Sequence, residues 1–309
     1  MALYSQPERT RNFIKFIPEQ LYRLDYTEVK IDCNYNFPKV PLTVIDFTNT
    51  PFFFRQFHMV DRRNYIFRAR LLKRDQKRFE NVSEISYVPK DCHHKIGWGR
   101  VNKPGEPMFY GSLNHITACA EAVVDAEEFN RDGHAMFVVG KWHFESPLKF
   151  ANIPYSERYF KLFYDTMDYE SDNIQLHHVQ QRNADMKEKF AEIEYEVLQF
   201  FSDAFARFDT EHNYYYMLSN YYADRVFGRL SEFDVPEEIH GIFYPSIALS
   251  YQQRNLVLKP DVVDNHLKFV DAMQILMVKN QTGGADFIPL KQFIRANETG
   301  DLMWEPRRP

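Results

Sequence analysis

The chain is poor in cysteine: three in 309 residues. Cys33, Cys92 and Cys119 form no Cys-x-x-Cys pair and leave one thiol over under any disulfide scheme. A reduced, intracellular protein is the simplest expectation. An excess of basic residues is also lacking. Lys and Arg number 38 against 43 Asp and Glu, for a formal charge of -5 and a pI near 6.1. A general nucleic-acid binder needs a basic surface, so no direct nucleic-acid partner is expected. No stretch approaches the roughly 20 apolar residues of a membrane helix, so no membrane span is expected. The opening Met1-Ala2-Leu3-Tyr4-Ser5-Gln6 has no basic region followed by an apolar run, which argues against a secretory leader and for the cytoplasm.

Standard signatures are missing too. Gly97-Trp98-Gly99 has no third glycine to complete a dinucleotide fingerprint. No Walker A sequence and no Gly-x-Ser-x-Gly elbow occurs. Cys92-His93-His94 has no matching second half for a structural zinc site, so it reads as a polar loop and no metal is expected.

What is present is ring-rich. Phe and Tyr number 28 and 19, and hydrophobic residues make up 44% of the chain, enough for a large core of packed aromatics. Val40 to Phe47, Asn64 to Leu72, Met108 to Tyr110, Ala135 to Trp142 and Asn255 to Leu258 read as strands. Gly97 to Gly105 reads as a loop. A helix capped by Ser112 or Asn114 is predicted from about Ile116 to Phe129, stopping near Asp132-Gly133.

From about Tyr155 to Leu230 the pattern turns helical. Phe190, Ile193, Val197, Phe200, Phe201 and Phe205 recur at helical steps within Asp185 to Phe208, and Tyr214 to Arg229 carries a tyrosine-rich stripe. Core packing is the first reading of both. Their joint apolar area also suggests a surface for self-association, a homo-oligomer being the symmetric outcome. The organisation read from the sequence is an N-terminal extension over 1–60, a catalytic domain over 61–264 with a helical insertion at about 155–230, and a C-terminal segment over 265–309. Residues 305–309 read as a loose tail.

Several polar residues sit in marked frames. Arg68 and Arg70 lie two apart on a strand and so share a face. They read either as surface salt-bridge partners or as a phosphate clamp, since the planar guanidinium binds phosphate oxygens bidentately. Arg100 lies in a glycine-flanked loop suited to wrapping a ligand. Glu121 falls on a helix between Ala118 and Val124, a small, apolar stripe where carboxylates are less usual. Tyr110 and Ser246, taken singly, are ordinary core polar residues. The ordered set supplies cations for a phosphate, an aromatic face and one carboxylate.

That set resembles the RES domain, a family named for an arginine, a glutamate and a serine. Phe67-Arg68-Ala69-Arg70 looks like its first arginine motif, and Gly99-Arg100-Val101-Asn102-Lys103-Pro104-Gly105 is similar to its Gly-Arg-x-Asn-x-Pro-Gly loop. Phe109-Tyr110-Gly111-Ser112 resembles the strand that carries its tyrosine, and Thr117-Ala118-x-x-Glu121 the helix that carries its glutamate. Tyr244-Pro245-Ser246, with Asn255-Leu256 beyond it, is similar to its serine motif, and Ser83 to Pro89 suits the family as well. The N-terminal extension and the long helical stretch depart from the compact family pattern.

The resemblance implies an α+β fold with an ADP-ribosyltransferase-like β-sheet core and an added helical region. It implies a toxin that consumes NAD as substrate, by hydrolysis or phosphorolysis, with no cofactor and with an antitoxin protein as partner. Glu121, Arg68 and Ser246 would be catalytic, and Arg68, Arg100, Asn102 and Tyr110 would contact the dinucleotide. In that reading Arg68 and Arg100 take the diphosphate or an adjoining ribose, and Tyr110 stacks on nicotinamide. Ser246 bonds either Glu121 or the nicotinamide amide. Two alternatives stand beside it: an ADP-ribosyltransferase that modifies a protein target, and a non-catalytic nucleotide-binding or interaction module.

Overall fold

The computed structural model describes residues 44–46, 65–73, 78–123, 127–146, 148–164, 183–185, 190–206, 214–229, 238–246, 253–281 and 284–306, with a few isolated positions besides. Most of the expected N-terminal extension lies outside these. The chain divides into two compact units. One comprises Met1–Val44, Trp98–Asn102 and Ala151–Glu238; the other comprises Ile45–Gly97, Lys103–Phe150 and Ile239–Pro309.

The strands are β1 (Val44–Asp46), β2 (Tyr65–Leu71), β3 (Phe109–Ser112), β4 (His134–Phe144), β5 (Lys149–Asn152), β6 (Gly241–Pro245), β7 (Arg254–Leu258), β8 (Leu267–Lys279), β9 (Ala285–Ala296) and β10 (Leu302–Pro306). They join one ten-stranded sheet in the order β1-β5-β6-β7-β3-β2-β4-β8-β9-β10. The seven pairings from β6 to β10 along that order are all antiparallel. With its helices the molecule is a mixture of α and β, as an α+β chain should be.

The helices described from end to end are α1 (Val82–Ile85), α2 (His115–Val123), α3 (Glu127–Asp132), α4 (Glu157–Tyr164), α5 (Glu192–Ala206), α6 (Tyr214–Val226) and α7 (Pro260–His266). Local chemistry sets their ends. Asn81 accepts from the Ser83 amide while Glu84 accepts from the Asn81 amide, a reciprocal cap that starts α1. Asn114 accepts from the Ile116 amide at 2.8 Å and starts α2. Gly133, at φ 72°, returns its amide to the Phe129 carbonyl and ends α3. The helix expected from Ile116 to Phe129 falls on α2 and α3, and residues 124–126 between them lie outside the described residues.

Strand alternation divides the core. On one sheet face Ile66, Phe109, Val138, Trp142, Phe243, Leu256 and Ile294 pack together with Val262 and Val263 of α7 and Ile85 of α1. On the other, Ala69, Phe137, Val139, Ile275 and Met277 pack beneath Ala118 and Cys119 of α2 and Phe129 of α3. Gly111 makes the β2–β3 approach possible: a Cβ there would meet Ile66 Cδ1 at 2.8 Å and the Phe67 carbonyl oxygen at 2.9 Å.

Two expectations change. Nothing after Leu258 read as strand, yet β8, β9 and β10 form an antiparallel meander, and Glu305 and Pro306 belong to β10 rather than to a loose tail. In β9 the alternation is interrupted by Pro289. It pairs with Ile275 beside a register shift, where a missing amide is tolerated.

Of the helix expected over Asp185 to Phe208 the structure describes α5, Glu192–Ala206, and helical residues at 185, 187 and 188 before it. Its stripe turns inward within its own unit. Phe201 and Phe205 lie 5.1 and 5.9 Å from the Tyr222 ring, and Val197, Leu198 and Tyr221 are buried with them. The stripes thus lend no support to a second copy. Among the described residues the exposed large apolar side chains are Val270, Ile288 and Met303, all on the C-terminal strands.

Candidate functional site

Four of the six sequence-selected residues, Arg68, Tyr110, Glu121 and Ser246, belong to the sheet unit; Arg100 and Asn102 belong to the helical one. Within the sheet unit the structure joins the four in two pairs, Ser246 with Glu121 and Arg68 with Tyr110. Ser246, fully buried just past the end of β6, donates its hydroxyl to Glu121 Oε1 at 2.6 Å. The Ala248 amide reaches the same oxygen at 3.3 Å. Ser246 is itself fixed by its amide, which donates to the Gln253 carbonyl at 2.8 Å across the β6–β7 connection. One carboxylate oxygen is therefore addressed by two donors, a short charge-assisted bond and a longer main-chain one.

Arg68 is buried on β2, at 7% exposure. Nε donates to the Ser86 carbonyl at 3.0 Å, and Nη1 to the Tyr110 carbonyl at 2.6 Å. The guanidinium lies over the Phe109 ring, 5.2 Å from its centroid. Arg70 follows suit, its Nε donating to the Glu84 carbonyl at 3.3 Å. Both arginines thus grip the main chain at the end of α1, and among the described residues neither has a carboxylate partner.

Burial pushes Arg68 well below the ordinary arginine value and Arg70 adds to the effect, while Tyr110 and Tyr244 offset part of it. A buried cation without a counter-charge is an expensive arrangement that an anion would relieve. By alternation, Arg68 shares the Ile66 and Phe109 face of the sheet, whereas the helix of Glu121 packs on the other face. Arg68 is thus tied to Tyr110 through the β3 backbone, and Glu121 to Ser246.

In the helical unit, Arg100 Nη1 donates to the Phe205 carbonyl in the last turn of α5 at 2.7 Å, a favourable place for a cation. Its guanidinium lies 6.0 Å from the Tyr216 ring centroid. Asn220 of α6 holds the same loop, its Nδ2 donating to the Gly99 carbonyl at 2.7 Å and to the Tyr216 carbonyl at 2.6 Å. Gly99 and Asn102 close the loop by a backbone bridge, and Asn102 is buried.

Sequence reasoning missed the groups that act through the backbone: the Ala248 amide, and the carbonyls of Ser86 and Tyr110. None has a side-chain signature. Thr117, one helical turn before Glu121, and Asn255, between Tyr244 and Ser112 in the sheet, are buried with Thr117 Oγ1 and Asn255 Nδ2 making no hydrogen bond. Their strand and helix spacing to Ser246 and Glu121 was the available signal.

Cys92, His93 and His94 lie on a short 3-10 helix, Lys90–Lys95. Among the described residues no group of three or more His, Cys, Asp or Glu could hold a metal ion. Also among them, no helix is long and apolar enough to cross a membrane. No model of a known protein family matches this chain, and no curated protein matches it either.

Proposed function

We propose that the protein cleaves the nicotinamide–ribose bond of NAD, as the resemblance to RES toxins implies, on an ADP-ribosyltransferase-like sheet. The observation that supports this reading most is the 2.6 Å contact of Ser246 with Glu121. It fixes one carboxylate oxygen and leaves the group oriented by two donors from the β6–β7 connection. Bond cleavage of this kind passes through an oxocarbenium-like state with positive charge on the ribose. An oriented carboxylate beside that ribose stabilises the transition state more than the neutral sugar of the ground state. Nicotinamide leaves as a neutral molecule, so a single carboxylate suffices.

In this reading Glu121 is the charge-stabilising group and Ser246 sets its orientation. Tyr110 presents its ring to nicotinamide, and Arg68 fixes the β3 backbone that carries Tyr110; a contact of Arg68 with the dinucleotide is assigned by the resemblance alone. Arg100 and Asn102 are assigned to the dinucleotide by the resemblance. A cell holding such an enzyme in its cytoplasm needs an antitoxin protein to restrain it.

Incubating the full chain with NAD and inorganic phosphate, with and without a cell extract as protein acceptor, and analysing all products by mass tests the reading. Free ADP-ribose signifies hydrolysis, and its 1″-phosphate signifies phosphorolysis. Mass added to a protein signifies transfer to a target instead. NAD left intact over hours by well-folded protein would overturn all three.

A further inference from the structure

A cavity of about 680 Å³ opens in the sheet unit, within the range of small-molecule sites. Its lining includes Trp142 and Phe269, whose rings meet edge to face with centroids 5.6 Å apart. Three prolines, Pro89, Pro107 and Pro260, add flat apolar walls. Trp142 and Phe269 pair across β4 and β8 on the Ile66 and Phe109 face, so the cavity lies on the opposite side of the sheet from the helix of Glu121. It is a place the proposed chemistry does not use.

The polar groups are few and directional. Asp264, on α7, lines the cavity and accepts from the Tyr87 hydroxyl through both oxygens, at 2.9 and 2.8 Å. A single hydroxyl occupies a fraction of a carboxylate's acceptor capacity, so lone pairs remain for a ligand donor. Tyr87 itself is committed as a donor to Asp264. His93 lines the same cavity, and since the Val88 carbonyl can only accept, His93 Nε2 must be the donor there, leaving Nδ1 as an acceptor in the neutral ring. Lys90 is exposed at the rim and solvated. Ring faces attract positive charge; Asp264, exposed at the cavity, can only accept, while the Ser83 and Ser86 hydroxyls can donate or accept.

We propose that this cavity is a second small-molecule site, selective for a planar aromatic amine that lies against Phe269 and the proline walls, above the buried Trp142, and donates its amino hydrogens to Asp264. The fit has two parts: flat apolar walls for the ring, and a carboxylate for the amino group. Ser86 lines this cavity, and its carbonyl holds Arg68 Nε at 3.0 Å, so the ligand shares a wall with the buried arginine.

Proflavine, a planar aromatic diamine with intrinsic fluorescence, is a suitable probe, titrated into the full chain. Saturable binding at one site per chain is expected. Asp264→Asn, which keeps an acceptor for Tyr87 but removes the charge, should weaken it by about tenfold or more. Ser83→Trp should block it by filling the cavity, with circular dichroism confirming the fold. Acridine, the same ring without amino groups, should bind more weakly than proflavine. Glu121→Gln should leave dye binding unchanged, so this test stands apart from the one for NAD cleavage. No saturable binding would overturn the proposal. So would undiminished affinity in Asp264→Asn, or displacement of the dye by NAD together with its loss in Glu121→Gln.

Discussion

Ser246 and Glu121, 125 residues apart in the chain, share a hydrogen bond of 2.6 Å. Two separate elements make it. Glu121 is in the last turns of α2, and Ser246 follows the last residue of β6. The α2 helix is held to the sheet by Ala118 and Cys119, and β6 is held by its full ladder with β7. The contact is thus set by core packing of α2 on one side and, on the other, by a β6–β7 connection anchored at the end of the ladder.

Glu121→Gln keeps the size of the side chain and one acceptor oxygen but removes the charge. Nicotinamide release should fall by at least about a hundredfold with stability little changed. Ser246→Ala leaves the Ala248 amide on Oε1, so its loss should be smaller. Near-parental turnover in the Gln variant would remove Glu121 from the chemistry.

Arg68→Ala strands the Ser86 and Tyr110 carbonyls in the interior and leaves a hole over Phe109. These costs oppose the relief of a buried charge and should outweigh it, lowering unfolding free energy by about 3 kcal/mol. Urea denaturation measures it. An unchanged midpoint would mean that water reaches both carbonyls.

His115 opens α2 with its ring edge-on to Phe67, centroids 5.8 Å apart, and burial lowers its pKa from the ordinary 6.5. The unfolded chain therefore binds a proton that the folded chain resists. The stability this group supports is present above about pH 6.5. It is lost as pH falls through the lower folded value. His115→Phe should flatten that acid limb in thermal unfolding followed from pH 8 to pH 5. A parallel decline in both proteins would assign the acid sensitivity elsewhere.

Cys119 is fully buried between α2 and the sheet, and its pKa is pushed up to about 12 by burial. The thiolate is the reactive form, so a disulfide reagent at pH 8 should leave Cys119 untouched until the chain is denatured. Half-buried Cys92 should react in the native protein. Peptide mapping distinguishes the two. Native labelling of Cys119 would show that α2 lifts from the sheet readily.

Much of the sheet unit was legible locally. The strands read over Asn64–Leu72 and Met108–Tyr110 and the cap read at Ser112 or Asn114 follow from short-range rules; the structure has strands at Tyr65–Leu71 and Phe109–Ser112 and the cap at Asn114. The inward stripe of α5 and α6 was legible as core for the same reason. The C-terminal meander was not. Its β9 strand is recognisable only once Pro289 is placed at a bulge, and a bulge is a property of the pairing rather than of the segment.

The sequence by itself determined which residues carry charge and ring chemistry, and on which face of its own element each one falls, because strand and helix periods are local. Only the tertiary structure decided what each side chain meets. Arg68 and Arg70, open in sequence to salt bridges or a phosphate, meet main-chain carbonyls at the end of α1. Arg100 meets the last turn of a helix more than a hundred residues away. Ser246 meets Glu121. Partners at such separations are chosen by the register of the sheet and by the packing of helices upon it, and no window of neighbouring residues contains that information.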